Sequence, residues 1–579
     1  MSRARTITQR SCKGKIAGLD HDLHPVIERI LLGRGVRDGT SLSLGLGALR
    51  PPTGMRGLKE AAGLLADAVM QEQSILVVGD FDADGATGTA LALSALRAMG
   101  SRRATYRVPN RFEYGYGLSV PLVDSIAPDL PDMLVTVDSG INCLAGVSRA
   151  SELGCSVIVT DHHLPGKELP PADAIVNPNV PGDDFPSKNL AGVGVMFYLL
   201  SALRGTLRDR GWFSRRRPEP NLAQYLDLVA LGTVADLVPL DHNNRVLVRQ
   251  GLELIRRGRA RPGLMALLRA GNRDYRFVNA SDLGFAVGPR LNAAGRLEDM
   301  AAGIRCLLSE QRAEADAIAA ELDALNRQRR EMQEAMQDEA MRQVSALLES
   351  LERKPMPGAL CLFDESWHQG IVGLVASRVK DAVHRPVIAF APESEGASLL
   401  KGSARSVRGL HIRDALALVD SRRPGLLKAF GGHAMAAGMT LDRKNLPALR
   451  AEMNEAVHTL LDGEELGEEM FTDGELDGAD LGLDLALQIE AHGPWGQRFP
   501  EPLFDGRFEV VERRVVGGAH LKMILQPSSG GREIDAIAFG RLPGDLPESG
   551  AVRFLYRLDV NRWRGRESPQ LLVEHIIGG

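Results

Sequence analysis

The stretch from Ser74 to Thr89 constrains this chain more than any other. Ile75 to Val78 is a short apolar run that reads as a buried strand. It gives way to three carboxylates at alternate positions, Asp80, Asp82 and Asp84, then Gly85, and a small-residue segment with helical character from Ala90 to Ala98. In an open α/β sheet, ligands sit in the crevice beyond the carboxyl ends of the strands. Three carboxylates this close repel one another, and burying them without partners is prohibitive. A hard divalent cation such as Mg2+ or Mn2+, which takes oxygen ligands, is the simplest neutraliser. The same acids fit the opening of an EF-hand loop. That loop, however, needs a Glu six residues after its glycine and an entering helix, and here Leu91 and a strand stand in those places. An acidic surface turn is the remaining plain reading, so the rest of the chain must decide.

It does so by repetition. Apolar, unbroken runs recur at Met133–Val137, Ser156–Thr160 and Ala174–Val176, as expected for a parallel sheet covered on both faces. They end in Asp138-Ser139-Gly140, in Asp161-His162-His163 and in Asn177-Pro178. A helical apolar stretch, Leu226 to Val234, ends in Ala235-Asp236. Each feature has a bland reading. Asp138 could cap the next helix, the two histidines could be surface residues, and one of Asp227 and Asp236 could merely hold backbone amides. Convergence on one rim is hard to explain that way. A two-metal site fits, with carboxylates bridging and imidazole completing the shells.

The 579 residues leave room for roughly three or four domains. Hydrophobic residues at 44% and charged residues at 25% are the proportions of a soluble globular protein. No run approaches the ~20 apolar residues of a membrane helix, so no membrane partner is expected. The basic N-terminus lacks an apolar core and a cleavage site. Five scattered cysteines read as reduced thiols, which implies a cytoplasmic location. With a net charge of −5, any nucleic-acid binding must be local.

Residues 1–70 read as a lead-in packing on the core, 71–308 as the catalytic α/β domain and 309–353 as a long, mostly polar connecting helix. Residues 354–462 read as a second α/β domain, with strands at Ala359–Phe363 and Pro386–Phe390, and 463–484 as an acidic linker. Five β-like runs in 485–579 (Phe508–Val516, His520–Gln526, Ile534–Ala538, Val552–Val560, Gln570–His575) suggest an OB-type barrel. There, basic and aromatic residues interleave, among them Lys522, Trp563 and Arg564, as sequence-tolerant single-strand binding requires. Core packing is the plain alternative for the rings.

Asp80-Phe-Asp82-Ala-Asp84-Gly85, Val137-Asp138-Ser139-Gly140, Asp161-His162-His163 and Gly232-Thr-Val-Ala-Asp236 resemble the four motifs of the DHH phosphoesterase superfamily. Val108-Pro-Asn-Arg-Phe112, Leu190-Ala-Gly-Val-Gly194, Gly288-Pro-Arg-Leu-Asn-Ala-Ala-Gly-Arg296, Trp367-His-Gln-Gly-Ile-Val-Gly373 and Gly431-Gly-His433 narrow the resemblance to its RecJ family. The resemblance implies a single-stranded-DNA-specific 5′-to-3′ exonuclease of recombination and repair, releasing 5′-mononucleotides and using two divalent cations, Mn2+ or Mg2+. Asp80, Asp82, Asp84, Asp138, His162 and Asp236 are then expected metal ligands, with Asp138 bridging. Some superfamily members carry a ligating His where this chain has Val78. His163 would face the scissile phosphate and Asp161 would orient the pair.

The resemblance further makes the second α/β domain the DHH-associated domain that closes over the active site. Its two Gly-rich segments, Gly402–Ser406 and Phe430–Ala434, would be phosphate-handling loops offering Arg405, Gly431, Gly432 and His433. Arg111, Arg290, Asn292 and Arg296 would line the path of the strand. A single-strand-binding protein and a helicase are expected partners of a monomeric enzyme. A small-molecule phosphoesterase and a non-catalytic single-strand-binding scaffold are the alternatives. The barrel argues against the first, the retained acids against the second.

Overall fold

The computed structural model describes residues 6–19, 23–110, 113–115, 117–350, 356–394, 396–461, 469–547 and 550–577. Its catalytic sheet contains β1 (Ile75–Gly79), β2 (Ala104–Arg107), β3 (Met133–Val137), β4 (Ser156–Thr160) and β5 (Ala174–Val176). All pairings are parallel, in the order β2-β1-β3-β4-β5. β1 and β3 are buried at every position, hence their uninterrupted apolar sequence. The register sets Gly79 beside Val137 and Val137 beside Thr160. The next residues, Asp80, Asp138 and Asp161, therefore leave three adjacent strands at the same level.

Three helices complete this core: α1 (Ala83–Ala98), α2 (Gly192–Asp209) and α3 (Leu226–Ala235), which pack on one another. Small residues let α1 sit close to the sheet. A Cβ on Gly88 would come within 2.5 Å of Val137 Cγ1. Further along lie α4 (Gly288–Leu297) and the 39-residue α5 (Arg312–Ser350).

The chain divides into two compact units, one of residues 8–323 with 471–579, the other centred on 324–470. The second unit holds β6 (Leu360–Phe363), α6 (Val372–Val383), β7 (Val387–Pro392), β8 (Leu399–Arg405), β9 (Leu427–Gly432) and β10 (Ala436–Asp442). Its sheet runs β9-β10-β8-β7-β6. The two Gly-rich segments expected as loops are thus mostly strand. Gly402 to Arg405 end β8, Phe430 to Gly432 end β9, and His433 lies in the turn to β10.

The barrel is closed, in the order β11-β12-β13-β15-β14, from β11 (Phe504–Val516), β12 (His520–Pro527), β13 (Ile534–Ala538), β14 (Val552–Trp563) and β15 (Arg566–Ile577). It belongs to the same unit as the catalytic sheet. Arg34 forks onto Asp473 through two bonds of 2.7 and 2.9 Å, both side chains almost wholly buried. Trp495 stacks on Phe499, with Arg34 over the first ring and Arg245 over the second. The segment expected as an acidic linker is therefore, from Asp473 onward, a docked connection. Its residues 463–468 fall outside the described ones. Among the described residues, no helix is long and apolar enough to cross a membrane, and all five cysteines are free thiols.

Candidate active site

The acid loop after β1 is held by helix-cap chemistry. Asp82 is the N-cap of α1, and its Oδ1 accepts from the amides of Asp84 (2.9 Å) and Gly85 (3.0 Å). Asp84 accepts from the amides of Gly192 (2.6 Å) and Val193 (2.9 Å) at the start of α2. Asp138 takes a left-handed conformation, φ 60°, which Asp tolerates better than most residues. A Cβ on Gly192 would lie 2.5 Å from that of Asp138, so only glycine fits there.

Opposite these acids stand the histidines. His162 Nε2 lies 3.0 Å from Asp138, 3.4 Å from Asp236 and 4.0 Å from Asp84. Asp161 is buried and accepts from the amides of His162, His163 and Ile141 and, at 2.7 Å, from His163 Nδ1. Asn179 and Asn177 donate to the carbonyls of His162 and His163, fixing the turn. Of the two acids in the 226–236 helix, Asp236 reaches this cluster. Asp227 instead binds the amide and guanidinium of Arg261.

Three sets of ligand atoms converge, each within 4.8 Å: Asp80, Asp82, Asp138; then Asp84, His162, Asp236; then Asp138, His162, His163. Asp138 and His162 each belong to two. Asp80 Oδ1 is buried with no hydrogen-bond partner. Burial and the Asp82 charge push Asp84 up to about 7. Burial and neighbouring carboxylates also hold Asp80, Asp138 and Asp236 well above the usual range. Burial opposes the His163 imidazolium too, but the bond and charge of Asp161 outweigh it and hold the ring up to about 9. A cluster of oxygen and imidazole donors too crowded to ionise by itself fits hard divalent cations.

This crowding has a pH signature. Between about 4 and 7, folded Asp84 keeps a proton that the unfolded chain releases near pH 3.9. The metal-free protein should therefore lose stability as pH rises through that window, by up to roughly 1.4 kcal/mol per pH unit from this group. Thermal unfolding in EDTA at pH 5 and pH 8 checks it, and a midpoint that rises instead would refute the crowding. Mn2+ should recover more stability at pH 8 than at pH 5.

Three family models match in order: the DHH family N-terminal domain over residues 74–233, the DHHA1 domain over 356–459 and the RecJ OB domain over 472–575. The single-stranded-DNA-specific exonuclease RecJ of Escherichia coli K12 is 49% identical over 97% of both chains. The chain belongs to the RecJ family. The Bacillus subtilis RecJ is 35% identical across 99% of this chain and 71% of its own. The crystal structure of RecJ in complex with Mn2+ from Thermus thermophilus superimposes with a TM-score of 0.78 at 32% identity, covering 96% of this chain and 76% of that one. A second from the same source, in complex with Mg2+, gives 0.73 at 30%.

Several residues expected to touch the strand in this RecJ-family chain have other work. Arg290 is buried and spends its guanidinium on Asp323, Ala286 O and Ala270 O, so it holds α4 in place. Asn292 faces the acid loop, its Oδ1 accepting the Ala83 amide at 2.7 Å. Three residues on, a Cβ at Gly295 would meet Phe81 O at 1.9 Å. The motif expected to bind DNA is thus a clamp on the loop that carries Asp80, Asp82 and Asp84. Lys522 is mostly buried and paired with Asp535. Arg296 is half-buried at the end of α4. Trp563 is 68% exposed at the tip of the β14–β15 hairpin, beside Arg564. Arg111 lies outside the described residues.

In the other unit, Arg405 donates to Ser403 Oγ and Ala404 O and lies against Gly373 in the first turn of α6. Burial lowers its pKa, and it has no carboxylate partner among the described residues. Gly431 and Gly432 are strand residues, and the His433 amide donates to Ala436 O.

The clamp can be tested directly. Asn292→Ala removes the acceptor for a buried amide, which then competes for a loop carboxylate, at a cost of about 1–3 kcal/mol. The Mn2+ concentration for half-maximal cleavage should rise severalfold with kcat at saturation nearly kept. An unchanged Mn2+ requirement would leave Asn292 with no part in metal binding.

Proposed function

We propose that this chain is a metal-dependent exonuclease that takes single-stranded DNA from its 5′ end and releases 5′-mononucleotides. The observation that carries this reading is the convergence of two ligand sets, Asp80 with Asp82 and Asp138, and Asp84 with His162 and Asp236, around adjacent ends of one sheet in a chain of the RecJ family. Asp80, Asp82, Asp84, Asp138, His162 and Asp236 would hold two divalent cations, Mn2+ or Mg2+. Bound there, such ions activate a water and stabilise the leaving oxygen.

The protein's own groups do the rest. Asp161 orients His163 and sustains its charge, so the ring can donate to the phosphate as charge develops. Gly192 and Val193 amides fix Asp84, and Asn292 fixes the loop. Arg405 is under-paired and suits a phosphate oxygen; Arg296 and the exposed Trp563 suit the strand. The same reading carries with it a proposed cytoplasmic location and work alongside a single-strand-binding protein and a helicase in recombination and repair.

The test compares a long single strand labelled at either end, its duplex, and a dinucleotide, each with Mn2+ or EDTA. Mn2+-dependent mononucleotide release from the 5′ end of the long single strand is expected. Dinucleotide cleavage alone would make it a small-molecule phosphoesterase, and binding without cleavage a scaffold.

A further inference from the structure

Asp236 is followed by Leu237, a leucine in the left-handed region, φ 59°, and 65% exposed. A π-helical turn, Leu283–Val287, packs on the same end of α3, and a Cβ on its Gly284 would lie 3.2 Å from Val234 Cγ1. That turn presents Phe285, 72% exposed. Strained backbone and π turns persist where the surroundings over-determine them, often at functional sites. Here both display an exposed apolar side chain next to a candidate metal ligand.

Behind Leu237 and Phe285 lies a cavity of about 300 Å³, between α3 and barrel strand β14, with Leu252, Ile489 and Leu558 in its wall. Most charges in the wall are matched. Arg557 pairs with Glu501 and Glu574, Arg562 with Glu490 and Glu567, and Arg249 with Glu253. Asp559 is pushed up by burial, toward its neutral form. Arg256 differs: it donates to Val278 O at 2.8 Å, and although the charges of Glu490 and Glu253 act on it, it forms no ion pair with either among the described residues. Beyond the cavity, Arg562 lies over the Phe277 ring at 4.5 Å, and the next residue is Trp563. Exposed rings therefore lead from the side of Asp236 to the tip of the barrel hairpin.

We propose that this cavity is a nucleotide subsite, where one unstacked base of the substrate strand packs on Phe285 and Leu237 and a phosphate meets Arg256. The proposal rests on the exonuclease reading above and extends it. A planar apolar group with an adjacent anion matches the lining, and continuity with both Asp236 and Trp563 makes the substrate strand its occupant. A base paired in a duplex has no free face to offer, so the subsite also favours single strands.

The test is fluorescence anisotropy of labelled dT12 in EDTA, alongside Mn2+-dependent cleavage of dT12 and of a dinucleotide, which offers the cavity at most one nucleotide beyond the scissile bond. Phe285→Ala and Phe285→Leu should each weaken dT12 binding about tenfold, and Phe285→Trp should retain it. The loss in kcat/KM should be about tenfold greater on dT12 than on the dinucleotide. Arg256→Gln should lower the salt slope of binding by roughly one phosphate contact. Wild-type dT12 affinity in both Phe285→Ala and Phe285→Leu would overturn the subsite. So would equal losses on the two substrates. If the wild-type protein binds dT12 without cleaving it, the exonuclease reading fails while the binding series still decides the subsite.

Discussion

Replacing Asp138 with Asn is expected to cut cleavage by about 10³-fold or more while making the metal-free protein more stable. The two effects share one cause. Asp138 is 1% exposed and sits among Asp84, Asp82, Asp236 and Asp80, and burial together with those charges drives its pKa upward. Asn has the same shape, tolerates φ 60° and brings no charge, so it relieves the crowding. The same neutral amide is a poor bridge for cations. A bridging position supplies several kcal/mol of transition-state stabilisation, and each 1.36 kcal/mol is tenfold in rate. Single-turnover cleavage at saturating Mn2+ measures the first effect and thermal unfolding in EDTA at pH 7.5 the second. Cleavage within tenfold of wild type would show that Asp138 does not bridge, and a lowered midpoint would show that it is structural.

Where the sequence was legible, one physical signal dominated. β1, β3, β4 and β5 are unbroken apolar runs because both faces of the sheet are covered, and strand ends in such a sheet share a rim. The convergence of Asp80, Asp138 and Asp161 follows from that alone. β2 escaped notice because Ala-Thr-Tyr-Arg is a short edge strand, half-exposed and without an apolar run. β8 was hidden by Gly402 and Ser403, although Leu400, Gly402 and Ala404 alternate inward as a strand demands.

Within the Gly288–Arg296 motif, Arg290 and Asn292 depart from expectation for a different reason. The motif's Pro and Gly residues suggested a loop with arginines free for phosphate. Yet Pro289 stands in the first turn of α4, where proline is favoured, and Gly295 marks a close approach to Phe81. The burial of Arg290 against Asp323 had no local signal, because the partner lies 33 residues on. The docked barrel was equally silent, since Arg34 and Asp473 are 439 residues apart. It also means that cutting at residue 485 would strip Trp495 and Phe499 from Arg34 and Arg245. Point changes at Trp563 therefore report on the strand more cleanly than truncation.

The adjacent histidines should separate metal binding from phosphate activation. Consecutive residues leaving a strand point in different directions, and the structure gives the two rings different neighbours. His162 Nε2 lies within 4.0 Å of Asp138, Asp236 and Asp84, the place of a ligand atom between acids. His163 gives Nδ1 to Asp161, whose bond and charge favour the imidazolium against burial and, in the metal-free cluster, hold the ring up to about 9. A cation there serves a phosphate better than a metal, which needs a neutral ring. His162→Ala should accordingly raise the Mn2+ concentration needed for activity or lower the number of ions bound. His163→Ala should keep both ions and lose about 10²–10³-fold in kcat, the scale of one missing transition-state donor. Asp161→Asn should reproduce part of that loss, because an amide sustains the imidazolium less well than a carboxylate. Calorimetric Mn2+ titration of each variant, paired with single-turnover cleavage, separates the two roles. If His163→Ala sheds an ion and His162→Ala keeps both, the roles are reversed, and the Asp161–His163 pair becomes the support of a metal-binding imidazole instead.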